Sequence, residues 1–335
     1  MSKTRITVIP GDGIGPDIVA SATRILDHIG CDFTYDYALA GLTALEKTGE
    51  LIPQQTMDLI ENNKIVLKGP LTTPVGKGFT SINVTLRKHF ELYANVRPVQ
   101  TFEGTKAHYS DIDIITVREN TEGMYSGQGQ IIDDNRTIAE AKSVITRKGS
   151  ERVIRYAYEL ARREGRKKVT ALHKANILKT TSGLFLEVAR EIAKEYPDIE
   201  SSDMIVDAAC MNLVMYPERF DVIVTTNLFG DITSDLCAGL VGGLGMAPGA
   251  NIGEKVAVFE AVHGSAPDIA GKNIANPTSI VLASIQMLRH LAMHTQAEQI
   301  LSALQKTIKQ GDRVTQDLGG TGSTNEFTQA IIDHL

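Results

Sequence analysis

With 335 residues, 42% of them hydrophobic and 22% charged, the chain has the composition of a soluble globular protein too long for one comfortable core, so two lobes are expected. A net charge of −6 argues against nucleic acid as the main partner, and no apolar run is long enough to span a membrane. Cys31, Cys210 and Cys237 have no C-x-x-C spacing and read as buried small residues rather than a disulfide framework or zinc site; no signal-peptide pattern precedes the first strand, so a cytoplasmic location is expected.

The first strand, residues 6–9, runs into GDGIG and then a helix whose stripe of Ile18, Val19, Ala22, Ile25, Leu26 and Ile29 stops at Gly30. Strand, glycine turn and helix, with Asp36 downstream, match the outline of a dinucleotide fingerprint. The spacing does not match. Gly11, Gly13 and Gly15 give G-x-G-x-G, and Pro16 stands where a third glycine would let helix and strand approach. Further β-branched runs follow at 64–69, 113–116, 168–172, 204–206, 221–226 and 256–259. Most lack alternation, as strands covered on both faces do. Amphipathic stretches at 149–165 and 182–197 lie between them, which predicts an α/β fold with a largely parallel sheet. Residues 126–145 break the pattern and read as an exposed hairpin or as an arm that pairs with a second subunit.

Chemistry gathers at a few places. Asp231 and Asp235 lie four apart at the start of an apolar helical run, where like charges destabilise a helix unless a cation bridges them. Such an oxygen pair suits Mg²⁺ or Mn²⁺ better than zinc, although acids at a helix N-terminus need no metal to explain them. Asp207 closes a strand, where it can serve a ligand or cap the next helix. In SINVTLRK, Ser81 can cap a helix that carries Asn83 and Arg87 on one face, and Arg97 follows on an extended piece. With Arg118 at another strand end, these groups form a candidate carboxylate or phosphate site; Tyr125 lies seven residues on. Lys174 stands at a strand end, and the loop 261–279 has the composition of an ordered binding loop.

Taken together, IPGDGIGP, GPLTTPVG, SINVTLRK, NVRP, VRENTEGMYSG, HKANILK, NLFGDITSD and HGSAPDIAGKNIANP resemble, in order and over about residues 5–320, the metal-dependent β-decarboxylating dehydrogenases of isocitrate, isopropylmalate and homoisocitrate. The resemblance implies a two-lobed α/β fold that is not Rossmann, with a large cofactor lobe from 1–95 and 248–335 and a small lobe from 96–247. It implies a homodimer clasped through about 126–145, with Lys174 and Asp207 completing the active site of the partner. Asp207, Asp231 and Asp235 would hold Mg²⁺ or Mn²⁺; Ser81, Asn83, Arg87, Arg97 and Arg118 would bind the substrate; Tyr125 and Lys174 would move protons. Ile14, Thr72, His263, Gly264, Asp268, Ile269 and Asn276 would receive the dinucleotide. The Ser and Asn of S-x-N-x-x-x-R imply isocitrate, with isopropylmalate and homoisocitrate as alternatives, and hence a step of the tricarboxylic acid cycle. Asp268 and Ile269, with Gln316 and Gly320, stand where NADP-using relatives hold a 2′-phosphate, so NAD is the implied cofactor. Non-catalytic regulatory subunits of hetero-oligomeric members lose residues from the Arg, Tyr, Lys and Asp set, and this chain keeps all of them.

Overall fold

The computed structural model describes residues 3–74 and 80–335; Val75 and Gly76, the end of the GPLTTPVG motif, lie outside them. The first part of the chain forms β1 (Thr4–Ile9), α1 (Gly15–His28), β2 (Phe33–Tyr37), α2 (Leu42–Thr48), α3 (Gln54–Asn63), β3 (Ile65–Lys68), α4 (Ile82–His89) and β4 (Ala94–Gln100). The middle forms β5 (Asp113–Glu119), β6 (Ile131–Ile132), β7 (Ala139–Glu140), α5 (Arg147–Arg163), β8 (Lys168–His173), α6 (Thr181–Ala193), β9 (Glu200–Ile205), α7 (Val206–Met215), β10 (Val222–Thr225) and α8 (Asn227–Leu240). The last part adds β11 (Pro248–Ile252), β12 (Ala257–Ala261), α9 (Thr278–His290), α10 (His294–Gln310) and α11 (Thr324–Asp333).

Among the described residues, ten strands make one sheet in the order β2-β1-β3-β12-β11-β4-β5-β10-β8-β9. The pairs at both ends are parallel, whereas β12-β11, β11-β4 and β4-β5 are antiparallel. Strands from residues 4–68 and 248–261 thus fill one end, strands from 113–225 fill the other, and β4 stands between them. Burial explains the missing alternation: Ile6, Thr7, Val8 and Ile9 of β1 are all inaccessible, because helices cover both faces. α1 buries its expected stripe, takes Pro16 into its first turn and stops before Gly30 at φ +80°. At 126–145 the structure has a small antiparallel hairpin, β6-β7, with Ile131, Ile132 and Ile138 exposed. All three cysteines are free; Cys31 and Cys237 are buried as expected, but Cys210 is only partly covered.

The glycine turn after β1 works as a junction of loops. Gly11 and Gly13 have φ of +80° and +58°, and a Cβ there would stand 2.2 Å from the Pro70 carbonyl oxygen and 1.9 Å from that of Ser265. Between them the buried Asp12 carboxylate accepts from the backbone N–H groups of Leu42 (3.0 Å), Thr43 (2.9 Å) and Thr72 (2.8 Å) and from the Thr43 hydroxyl (2.8 Å). Asp36, which would take a ribose in a Rossmann site, is held instead by Arg5 and Asn63. Gly41 has φ +90°, and a Cβ on it would lie 2.0 Å from Asp12 Oδ2. Gly41→Ala is therefore expected to cost about 2–4 kcal/mol, through backbone strain and a displaced carboxylate. Urea unfolding checks this, and a midpoint equal to wild type would refute the junction role of Asp12.

Candidate active site

The site lies where β4, β5, α4 and α8 converge. Arg97 projects from β4 and Arg118 from β5, and the register sets Asn95 opposite Arg118. Arg118 is 1% exposed. α8 begins two residues after β10 and reaches β5 closely because Gly230 has no side chain; a Cβ there would meet Arg118 Cγ at 2.5 Å. That approach brings Asp231 onto Arg118 and onto the Tyr125 hydroxyl, which donates to its Oδ2. Arg97 donates to Asp235 Oδ1 (2.9 Å) and to the Ser234 hydroxyl (2.8 Å) and stands 3.8 Å from Asp231. It is the cation that lets two carboxylates share one helix face.

Electrostatics fixes the charge states. Burial opposes ionisation of Asp231, but Arg118, the Tyr125 hydroxyl, Arg97 and Arg87 outweigh it and hold the carboxyl below its ordinary value. Burial and the bond to Asp231 raise Tyr125, so the phenol keeps its proton. Burial and the neighbouring Arg87 and Arg97 pull Arg118 down to about 10. Burial likewise lowers Arg87. Crowded, largely buried guanidiniums of this kind are stabilised by an added anion.

Arg87 lies on α4, 3.8 Å from the buried Glu260 of β12, which pairs with Lys68 of β3 at 2.7 Å. Burial alone would raise Glu260, yet Lys68, Arg87 and a bond from Asn251 bring it down to about 2. Because the folded value is depressed, the stabilisation is complete above the ordinary value of 4.5 and is lost as pH falls toward about 2. Stability measured by urea at stepped pH should fall across that window, and Glu260→Gln should flatten the slope; parallel slopes would remove Glu260 as its source. Ser81 occupies the N-cap position of α4 but makes no capping bond, contrary to expectation; the N–H of the first helical residue, Ile82, donates to the Thr73 hydroxyl at 3.2 Å. The buried Asn83 Oδ1 also lacks a protein partner among the described residues.

Lys174, just past β8, pairs with Asp207 of the same chain, so these two form a separate group. Asp207 sits in the first turn of α7, with Ile205 at the N-cap, so it does not act as the cap. Along the other expected surface, the Thr72 hydroxyl bonds to that of Ser265 at 2.6 Å, and the Ile14 N–H donates to the Ser265 carbonyl at 2.9 Å. The Ile14 side chain is buried in the core, so only its backbone shapes the turn. Burial lowers His263, which keeps the imidazole neutral, and its Nδ1 lies 3.0 Å from the Gly264 carbonyl. Asp268 is exposed, Ile269 packs partly against the core, and Asn276 donates to Asp317 at 2.8 Å.

Asp231 and Asp235 fit a hard divalent cation: they are one turn apart, all-oxygen, with Asp231 ionised and Asp235 half exposed. Among the described residues no three His, Cys, Asp or Glu side chains of one chain converge, so further oxygens would come from outside it. Sequence reasoning missed Asp12, Lys68, Asn95, Asn251 and Glu260. For Lys68 and Glu260 the signal was present as single charges inside otherwise apolar strand runs, IVLK and AVFEA.

Among the described residues no helix is long and apolar enough to cross a membrane. The chain is 50% identical over 331 residues to isocitrate dehydrogenase (NAD) catalytic subunit 5, mitochondrial, of Arabidopsis thaliana, covering 98% of this chain and 88% of that one. It is 52% identical over 331 residues to the 3-isopropylmalate dehydrogenase of Archaeoglobus fulgidus, covering 99% of both. The crystal structure of isocitrate dehydrogenase from Methylococcus capsulatus matches it with a TM-score of 0.94 and 56% identity over 98% of each chain. Residues 5–331 match the isocitrate/isopropylmalate dehydrogenase family as a whole, so the mixed α/β fold is that family's and not Rossmann, and the chain belongs to these decarboxylating dehydrogenases.

Proposed function

We propose that the chain oxidises isocitrate to 2-oxoglutarate and CO₂ with NAD and Mg²⁺ or Mn²⁺. The observation that carries this is the charge of the site. Lys68 cancels Glu260, while Arg87, Arg97 and Arg118 face Asp231 and Asp235. Three guanidiniums and a divalent ion against Asp231, Asp235 and the partner subunit's Asp207 leave a net positive site, which suits a 2-hydroxy acid carrying several carboxylates. The Ser81 hydroxyl, which makes no capping bond, and the Nδ2 of Asn83 on the same helix end can both donate to a distal carboxylate, which favours isocitrate among such acids. Beside an isopropyl group, each polar group left buried without a partner would cost about 1–3 kcal/mol.

Bound at these residues, NAD would supply the hydride acceptor and the divalent ion a Lewis acid at the substrate hydroxyl. The protein's own work is positional and protonic. Arg87, Arg97 and Arg118 orient the carboxylates, with Ser81 and Asn83 at the distal one. Lys174 of the partner subunit takes the hydroxyl proton, while its Asp207 completes the oxygen set of Asp231 and Asp235. After CO₂ leaves, the protonated Tyr125 donates to carbon. The exposed β6-β7 hairpin supports a homodimer clasped there, with a large lobe of 1–95 and 248–335 and a small lobe of 96–247.

Comparing kcat/KM for isocitrate, 3-isopropylmalate and homoisocitrate tests the assignment; isocitrate failing to lead would overturn it. Cofactor choice rests on Asp268, exposed in the loop after β12, whose carboxylate suits ribose hydroxyls and repels a phosphate. Asp268→Lys with Ile269→Tyr should move the NADP/NAD ratio of kcat/KM by about 10²-fold toward NADP, two charge-assisted contacts being gained. An unchanged ratio would place the discrimination elsewhere.

A further inference from the structure

The sheet face beneath the site carries a continuous polar path through an otherwise apolar interior. The register sets Lys68 beside Glu260 across β3-β12, Asn251 beside Asn95 across β11-β4, and Asn95 beside Arg118 across β4-β5. At its centre is Asn251, buried on β11. Its Oδ1 accepts from Asn95 Nδ2 (2.9 Å) and Asn120 Nδ2 (3.0 Å), and its Nδ2 donates to Glu260 Oε1 (2.7 Å) and to the Val258 carbonyl (3.4 Å). Asn95 Oδ1 in turn accepts from Arg97 Nε at 2.9 Å. Glu260, held from the other side by Lys68, faces Arg87.

We propose that Asn251 is a positioning residue that sets Arg87 and Arg97 relative to each other, acting on Arg97 through Asn95 and on Arg87 through Glu260. This rests on the reading of both arginines as substrate-binding groups. Only a carboxamide of this size offers two acceptor sites and two donors at one point. An aspartate would set a second carboxylate against Glu260, and a leucine would strand the Asn95, Asn120 and Glu260 groups without partners. Arg97 spends its Nε on Asn95 and its Nη1 on Ser234 and Asp235, which aims the remaining edge at the cleft. The spacing of the guanidiniums is thus fixed by the sheet interior rather than by a loop.

The test uses whichever of the three 2-hydroxy acids the wild-type enzyme prefers, so a wrong substrate assignment shows in the wild type and leaves the positioning test intact. Asn251→Leu should raise KM for that acid at least tenfold, leave KM for NAD within about twofold, and weaken the shift in thermal midpoint that the acid alone produces. Asn251→Ser, which keeps a donor and an acceptor in less volume, carries the same test if the leucine variant fails to fold. In an Arg97→Lys background, where no Nε remains to meet Asn95, the Asn251 change should raise KM by clearly less than it does alone, the remainder acting through Glu260 and Arg87. A folded variant with unchanged KM for the acid, or full additivity with Arg97→Lys, would overturn the proposal and leave Asn251 a structural residue.

Discussion

Asp231→Asn should lower kcat/KM by about 10³-fold or more at limiting Mg²⁺ or Mn²⁺, equivalent to about 4 kcal/mol. Two losses combine. The amide is a poorer ligand for a hard cation, and the buried Arg118 loses the carboxylate that best compensates it while Arg87 and Arg97 remain close. Breaking one side of a buried pair commonly costs several kcal/mol because the other charge stays behind. The thermal midpoint should therefore fall as well, and high metal should restore only part of the activity. Steady-state rates across a metal titration, with the melting curve of the same sample, measure both. Wild-type activity at limiting metal would refute the metal role.

Tyr125→Phe should lower kcat by about 10²–10³-fold and leave KM for the 2-hydroxy acid nearly unchanged. The substitution is narrow. Arg118 lies 5.1 Å from the centre of the Tyr125 ring, and a phenyl ring keeps that contact and its bulk. Only the hydroxyl goes, and with it the donor that burial and Asp231 keep protonated. A fall in kcat with constant KM marks a group that acts in the reaction and not in binding. A loss below about fivefold, or a rise in KM of the same size, would assign Tyr125 to substrate binding instead.

What was legible in the sequence followed strong periodicity. The stripe of α1 and the helical spacing of Asp231 and Asp235 on α8 both appear where expected. β4 was legible only as an extended piece, and β2 and β11 were not read as strands; the proline and glycine of PGANI weaken a strand signal. Their polar residues are what make the site: Asn95 and Arg97 come from β4 and Asn251 from β11. Local pattern also could not show that Gly230 and Arg118 meet, since that contact depends on where α8 crosses β5. For the same reason Lys68 and Glu260 could not be paired from sequence, because only the β3-β12 register sets them side by side.

The strand order has a consequence for synthesis. Ile65 of β3 pairs with Ala257 of β12, so one edge of the β2-β1-β3 unit stays open until the ribosome has passed residue 257. Of the other half, β8 and β9 can pair as soon as residue 205 has emerged, and β5 joins them once β10 follows, still ahead of β12. The nascent chain therefore holds an apolar, unpaired strand edge through most of translation, a state that invites off-pathway association and makes a chaperone's shelter most valuable before β12 emerges.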